Sequence, residues 1–138
     1  MNENPKVLEI VQQWIVKADH DLKNAEHTLT IQEDCPYDTI CFHAQQCAEK
    51  YFKALLTLHG VDFSKTHDLT ELREWLPVDI RLKIAQTDVE DLNPYAVETR
   101  YPGDWEPLTR QEALRAIAIA RNIRETIRHY VPRNVLGA

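Results

Sequence analysis

Seven apolar residues, Val7, Val11, Trp14, Ala18, Leu22, Ala25 and Leu29, recur at steps of four and three through the first thirty positions. At 100° per residue these steps keep all seven on one stripe. A stripe held for about six turns predicts a long amphipathic helix that must bury one side against other helices. Sustained period-two alternation, the mark of a half-buried strand, is missing. There are also only 3 glycines in 138 residues, fewer than the turns of a sheet protein this size would use. The chain therefore reads as all-α.

Local signals divide it. Asn4 is suited to cap the first helix, with Pro5 at its first position. Pro36 ends that segment, since it cannot continue a helix and pushes the preceding residue out of helical geometry. A second helix is predicted from an Asp38 cap to about His59, with Gly60 as its left-handed stop. The loop "VDFSKT" leads to a short third helix, where Asp68 and Glu71 have capping-box spacing. A fourth helix is predicted over about 78–92, and "NPYAVETRYPGDWEP" reads as irregular. The last helix should run from about Leu108 to Tyr130, closed by Pro132. The expectation is one domain, residues 1–138, folded as an up-and-down antiparallel bundle of four to five helices.

Charge and composition restrict the functions open to such a bundle. The net charge is −6, yet residues 109–138 hold six arginines against Glu112 and Glu125. The first 108 residues therefore carry −10. A molecule with this balance is not a polyanion binder by charge alone. A local strip remains, because Arg110, Arg121, Arg124 and Arg128 fall within about 60° of one another on the last helix. It could follow a phosphate backbone or pair with the acidic part of the chain; no aromatic residues interleave with it to stack bases. Cys35, Cys41 and Cys47 lack zinc-knuckle spacing and read as reduced thiols. His20, Asp21 and His27 cannot share one ion, since two helical turns separate the imidazoles by about 10 Å. Neither a metal nor a cofactor is expected. With no signal peptide at the N-terminus and no apolar run near the ~18 residues of a membrane span, a cytoplasmic location is expected.

The second helix is unusual in having two organised faces. Cys41, Ala44, Ala48, Tyr51, Leu55 and Leu58 lie within about 100° and form an evident core seam. Phe42, Gln46, Glu49, Lys53 and Leu56 cluster away from it, where a surface helix should be uniformly polar. A Glu–Lys pair set among aromatic and aliphatic side chains predicts a second shielded face, covered by another helix or another subunit. Gln45, Gln46 and Glu49 predict a hydrogen-bond network there, because buried amides must be paired.

Four motifs in order, "DLKNAEHTL", "CFHAQQCAEKYFKALLTLHG", "KTHDLTEL" and "ETRYP", resemble those of the HEPN domain family across about residues 8–128. That resemblance implies a helical bundle that forms homodimers, with the second face near a dimer cleft. It also implies either of two activities. In one, the chain is a non-catalytic module that binds a nucleotide or an RNA phosphate group and partners a minimal nucleotidyltransferase in a toxin–antitoxin-like system. In the other, it is a metal-independent ribonuclease toxin.

The family's cleavage signature is an Arg followed four to six residues later by a His, and Arg124 and His129 fit that spacing. The His would transfer a proton and the Arg would stabilise the phosphate charge. On a continuous helix, however, the two side chains lie about 140° apart. Near a helix C-terminus, Arg124, Arg128 and His129 also favour the macrodipole without any chemistry. For the binding activity, Lys53, His67, Arg100 and Tyr101 are the candidate ligand contacts. Tyr101 precedes a proline and is held extended, which can project Arg100 towards a neighbouring helix. Arg100 could instead pair with a buried carboxylate such as Glu49.

Overall fold

The computed structural model describes residues 3–63, 65–96 and 106–137. Its first helix, α1, spans Pro5–Thr28, and the Asn4 side chain accepts from the Lys6 backbone amide as a cap should. Helix α2 spans Tyr37–Leu58. Three short helices follow: α3 at Leu69–Glu74, α4 at Val78–Arg81 and α5 at Gln86–Leu92, with a 3-10 turn at Asn93–Ala96. Helix α6 covers Arg110–Arg128 and α7 covers Arg133–Leu136. Among the described residues there is no strand.

Helix α2 is the centre of the bundle, with fourteen of its 22 residues buried, enough to require neighbours on every side. Helix α1 packs on it in the antiparallel sense, since Trp14 meets Lys53 and Asp21 meets His43. Helix α6 runs antiparallel to α1, with Glu26 joined to Arg121 and Asp19 to Arg124 and Arg128. The segment 69–96 returns the chain between α2 and α6, which completes the up-and-down order.

The expected boundaries hold in outline and shift where packing decides. Helix α2 starts at Tyr37 and has no side-chain cap bond, so Asp38 is a first-turn acid and not the expected cap. The single helix expected over 78–92 is two helices. Ile80, Ile84, Val89 and Leu92 are all buried, and the five-residue step from 84 to 89 breaks the helical period. The carbonyls of Arg81 and Ile84 instead accept from the Arg73 guanidinium. Helix α6 begins two residues late because Thr109 and Glu112 form a capping box, and Pro132 is followed by α7 where only an end was expected. Gly60 does take the left-handed conformation, at φ 68°.

Candidate functional site

The polar face of α2 is built on Glu49, which is 3% exposed. Its Oε2 lies 3.1 Å from Lys53 Nζ, and its Oε1 accepts from Gln45 Nε2 at 3.3 Å and Gln46 Nε2 at 3.5 Å. His67 Nδ1 lies 3.0 Å from Oε2 and 3.1 Å from Oε1. The His67 carbonyl accepts from Gln45 Nε2, so the predicted amide network also anchors the loop that carries the imidazole. Above Lys53 lie the rings of Trp14 and Phe63, with centroids 5.6 and 5.8 Å from the ammonium. The two rings meet edge to face at 6.5 Å.

The Glu49–Lys53 part of this second face is therefore covered, and by the chain itself, while Phe42 and Gln46 stay half-buried. The segment after α2 folds back, starting with a 2.9 Å bond from the Val61 amide to the Leu56 carbonyl, and brings Phe63 and His67 over Glu49 and Lys53. Lys53 is nearly closed off from water, while the His67 side chain stays 70% exposed. A carboxylate only accepts, so His67 Nδ1 donates to Glu49 and leaves Nε2 on the far edge of the ring. Lys53 and His67 thus meet through one carboxylate. Arg100 and Tyr101, the other two candidate ligand contacts, lie outside the described residues.

A second set stands nearer the start of α2. Asp21 is buried and accepts from His43 Nδ1 at 2.8 Å and from Lys50 Nζ. His43 and Lys50 are seven residues apart on α2, so one carboxylate from α1 reaches both. His20 and His27 are exposed. Among the described residues no group of three His, Cys, Asp or Glu could hold a metal ion.

A third set joins α1 to α6. Asp19 accepts from the Tyr51 hydroxyl, from Arg124 Nε at 2.9 Å and from Arg128 Nη1 at 3.4 Å. Glu26 accepts from Arg121 Nε at 2.9 Å. These pairs border an open groove of about 490 Å³, lined by Asp19, Lys23, Glu26, Arg121, Arg124 and Glu125. Three arginines of the strip foreseen on the last helix are thus occupied by acids of α1. Burial pushes the Tyr51 hydroxyl well above the ordinary phenol range, and Asp19 beside it adds to the shift. Burial likewise raises the Cys47 thiol, with Asp19 and Asp21 both contributing. Such a thiol is an inert core group.

Arg124 and His129 do not meet within one chain. Arg124 turns into the α1–α6 groove, while His129 follows the helix as its exposed C-cap, its ring edge-on to Tyr130 at 5.2 Å. The pairing of the arginine strip with the acidic stretch "DHDL" of α1 is found at Asp19, whereas the Asp21–His43–Lys50 set escaped the sequence reading, because its members belong to different helices. The usable signal is the antiparallel pairing of α1 with α2, which pairs positions whose numbers sum to about 64–71: Trp14 with Lys53, Asp21 with Lys50 and His43, Asp19 with Tyr51.

The chain is thus a helical bundle around a double-faced central helix, with a buried Glu–Lys pair and a histidine-bearing loop folded over it. The family model of the HEPN domain matches residues 11–130, and the chain belongs to that family. A protein of Methanocaldococcus jannaschii named "Putative toxin MJ1304" is 27% identical over 134 residues, 86% of each chain. The crystal structure of TT1696 from Thermus thermophilus superposes with a TM-score of 0.72 at 29% identity, covering 88% of this chain and 98% of that one. ST0689, an archaeal HEPN homologue, gives 0.69 at 27% identity with the same coverage.

Proposed function

We propose that the chain is a non-catalytic, dimerising HEPN module that binds a nucleotide or RNA phosphate group and partners a minimal nucleotidyltransferase in a toxin–antitoxin-like pair. The observation that carries this reading is the grip of buried Glu49 on exposed His67. Burying a carboxylate and an ammonium together is seldom the most stable way to fill a core. Here the pair fixes the ring orientation of a histidine whose Nε2 faces water, which makes that atom a directed hydrogen-bonding group. His67 is the contact to the ligand, held by the same carboxylate as Lys53 beneath it; Arg100 and Tyr101 are the further contacts proposed from the sequence.

Thermal-shift measurements with nucleoside mono-, di- and triphosphates test the binding. At least one should raise Tm, and His67→Ala should remove the shift. A wild-type protein unmoved by every nucleotide overturns phosphate binding. Light scattering tests dimerisation, with a mass near 16.1 kDa counting against it.

A second reading is favoured by the archaeal relative whose name includes toxin: a metal-independent ribonuclease in which Arg124 of one copy meets His129 of another. Purified protein would then degrade RNA in the presence of EDTA, and His129→Ala would abolish this while leaving the helical circular-dichroism signal intact. Intact RNA after incubation discards it.

A further inference from the structure

The same side of α2 carries a carboxylate–lysine–histidine set that the proposed site leaves unused. We infer that Asp21, His43 and Lys50 form a second phosphate subsite, so that the ligand is a short single-stranded oligoribonucleotide and not a mononucleotide. The inference rests on the phosphate-binding reading for the Glu49–His67 end.

Three observations carry it. First, the two sets share one design. A buried carboxylate, Asp21 or Glu49, holds a lysine and the Nδ1 of a histidine, which leaves each Nε2 directed away from the carboxylate. Each set is neutral while its imidazole is neutral; with the imidazole protonated, Nε2–H is a donor to a phosphate oxygen.

Second, the sets are aligned. His43, Gln46, Lys50 and Lys53 recur at i, i+3, i+7 and i+10 within the unbroken helix Tyr37–Leu58, inside an arc of about 80°. His43 and Lys53 are ten residues apart, about 15 Å along the axis. One phosphate group cannot span that distance. Phosphates of a stacked strand recur about every 3.4 Å along its axis, so several linked nucleotides can.

Third, aromatic rings stand at both ends. Half-buried Phe42 meets the His43 ring edge-on at 5.3 Å, and Trp14 and Phe63 flank Lys53. Rings beside cations are what a single strand uses to stack its bases.

Fluorescence anisotropy with labelled oligouridylates of two, four and eight nucleotides tests the inference on the full chain. Affinity should rise about tenfold or more from the shortest to the longest. In the double variant His43→Gln/Lys50→Gln that rise should disappear. The single variant His43→Gln, whose amide can still reach Asp21, should lower the octanucleotide affinity in the same direction if the double variant proves unstable. A folded variant that keeps the wild-type length dependence overturns the second subsite. So does a wild type stabilised by mononucleotides with no preference for longer strands, which leaves the Glu49–His67 reading standing. A wild type that binds neither mononucleotides nor oligonucleotides overturns both.

Discussion

Glu49 and Lys53 form an ion pair at 3.1 Å, one turn apart on the central helix, with side chains only 3% and 8% exposed. Neither charge has water to fall back on, so each depends on the other. Removing one partner strands the second. Glu49→Ala should therefore cost about 3–5 kcal/mol in urea unfolding, whereas the paired change Glu49→Leu/Lys53→Met should come close to neutral. A cost for Glu49→Ala below about 1 kcal/mol would show that water reaches Lys53.

The start of α6 depends on a reciprocal pair. The Glu112 amide donates to Thr109 Oγ1 at 3.1 Å, and the Thr109 amide donates to Glu112 Oε1 at 3.2 Å. Thr109→Ala leaves the amide without its side-chain acceptor and should lower stability by about 1 kcal/mol. Thr109→Ser should retain most of it. Chemical denaturation of the three proteins side by side measures both.

Gly60 ends α2 at φ 68°, and a Cβ built there meets nothing within 4 Å. Gly60→Ala should thus cost about 1–2 kcal/mol through the left-handed backbone alone. Gly60→Asn should cost less, since Asn tolerates this region. Equal Tm values for all three would show that the chain can leave α2 by another route.

Two buried groups set the alkaline limit. Cys47 and Tyr51 both have folded-state pKa values raised above their ordinary values of 9.0 and 10.0. Above those values the unfolded chain releases protons that the folded chain retains, so stability is complete below about pH 9 and falls as pH rises. Cys47→Ala should flatten the first part of that fall, and Tyr51→Phe the later part. Urea midpoints taken from pH 8 to 11 report this. A midpoint that holds steady to pH 11 would contradict the burial of both groups.

His59, at the end of α2, has its pKa depressed by burial. The folded chain then binds fewer protons than the unfolded chain just below the ordinary value of 6.5, so this contribution to stability is present above that pH and lost as pH falls through the folded value. Imidazole NMR shifts should place the His59 midpoint below 6.5.

Much of the bundle could be read from the sequence because the responsible forces are local. The stripe from Val11 to Ala25, the Asn4 and Asp68 caps and the Gly60 stop act within a few residues, and each is found in place. The break between α4 and α5 could not be read that way. It follows from the burial of Ile84 and from a guanidinium eleven residues earlier that takes the Ile84 carbonyl.

Of the candidate site, the unusual character of the second face of α2 was visible in Gln46, Glu49 and Lys53 themselves. What covers it was not, because a helical wheel reports which side is shielded and carries nothing about the neighbour. The fold supplies Trp14, Phe63 and His67 for that purpose. For the arginine strip the sequence offered the acidic stretch "DHDL" as a partner, and the fold decides that Asp19 is the carboxylate that takes Arg124, 105 residues away.

By itself, then, the sequence determined the helices, their stops and the presence of a shielded polar face, all properties of residues within one or two turns of each other. Beyond the local Glu49–Lys53 pair, only the tertiary structure decided which carboxylate holds which histidine, lysine or arginine. A charge finds its counter-ion through space, and α1 lying antiparallel to α2 is what brings Asp21 to His43 and Asp19 to Tyr51.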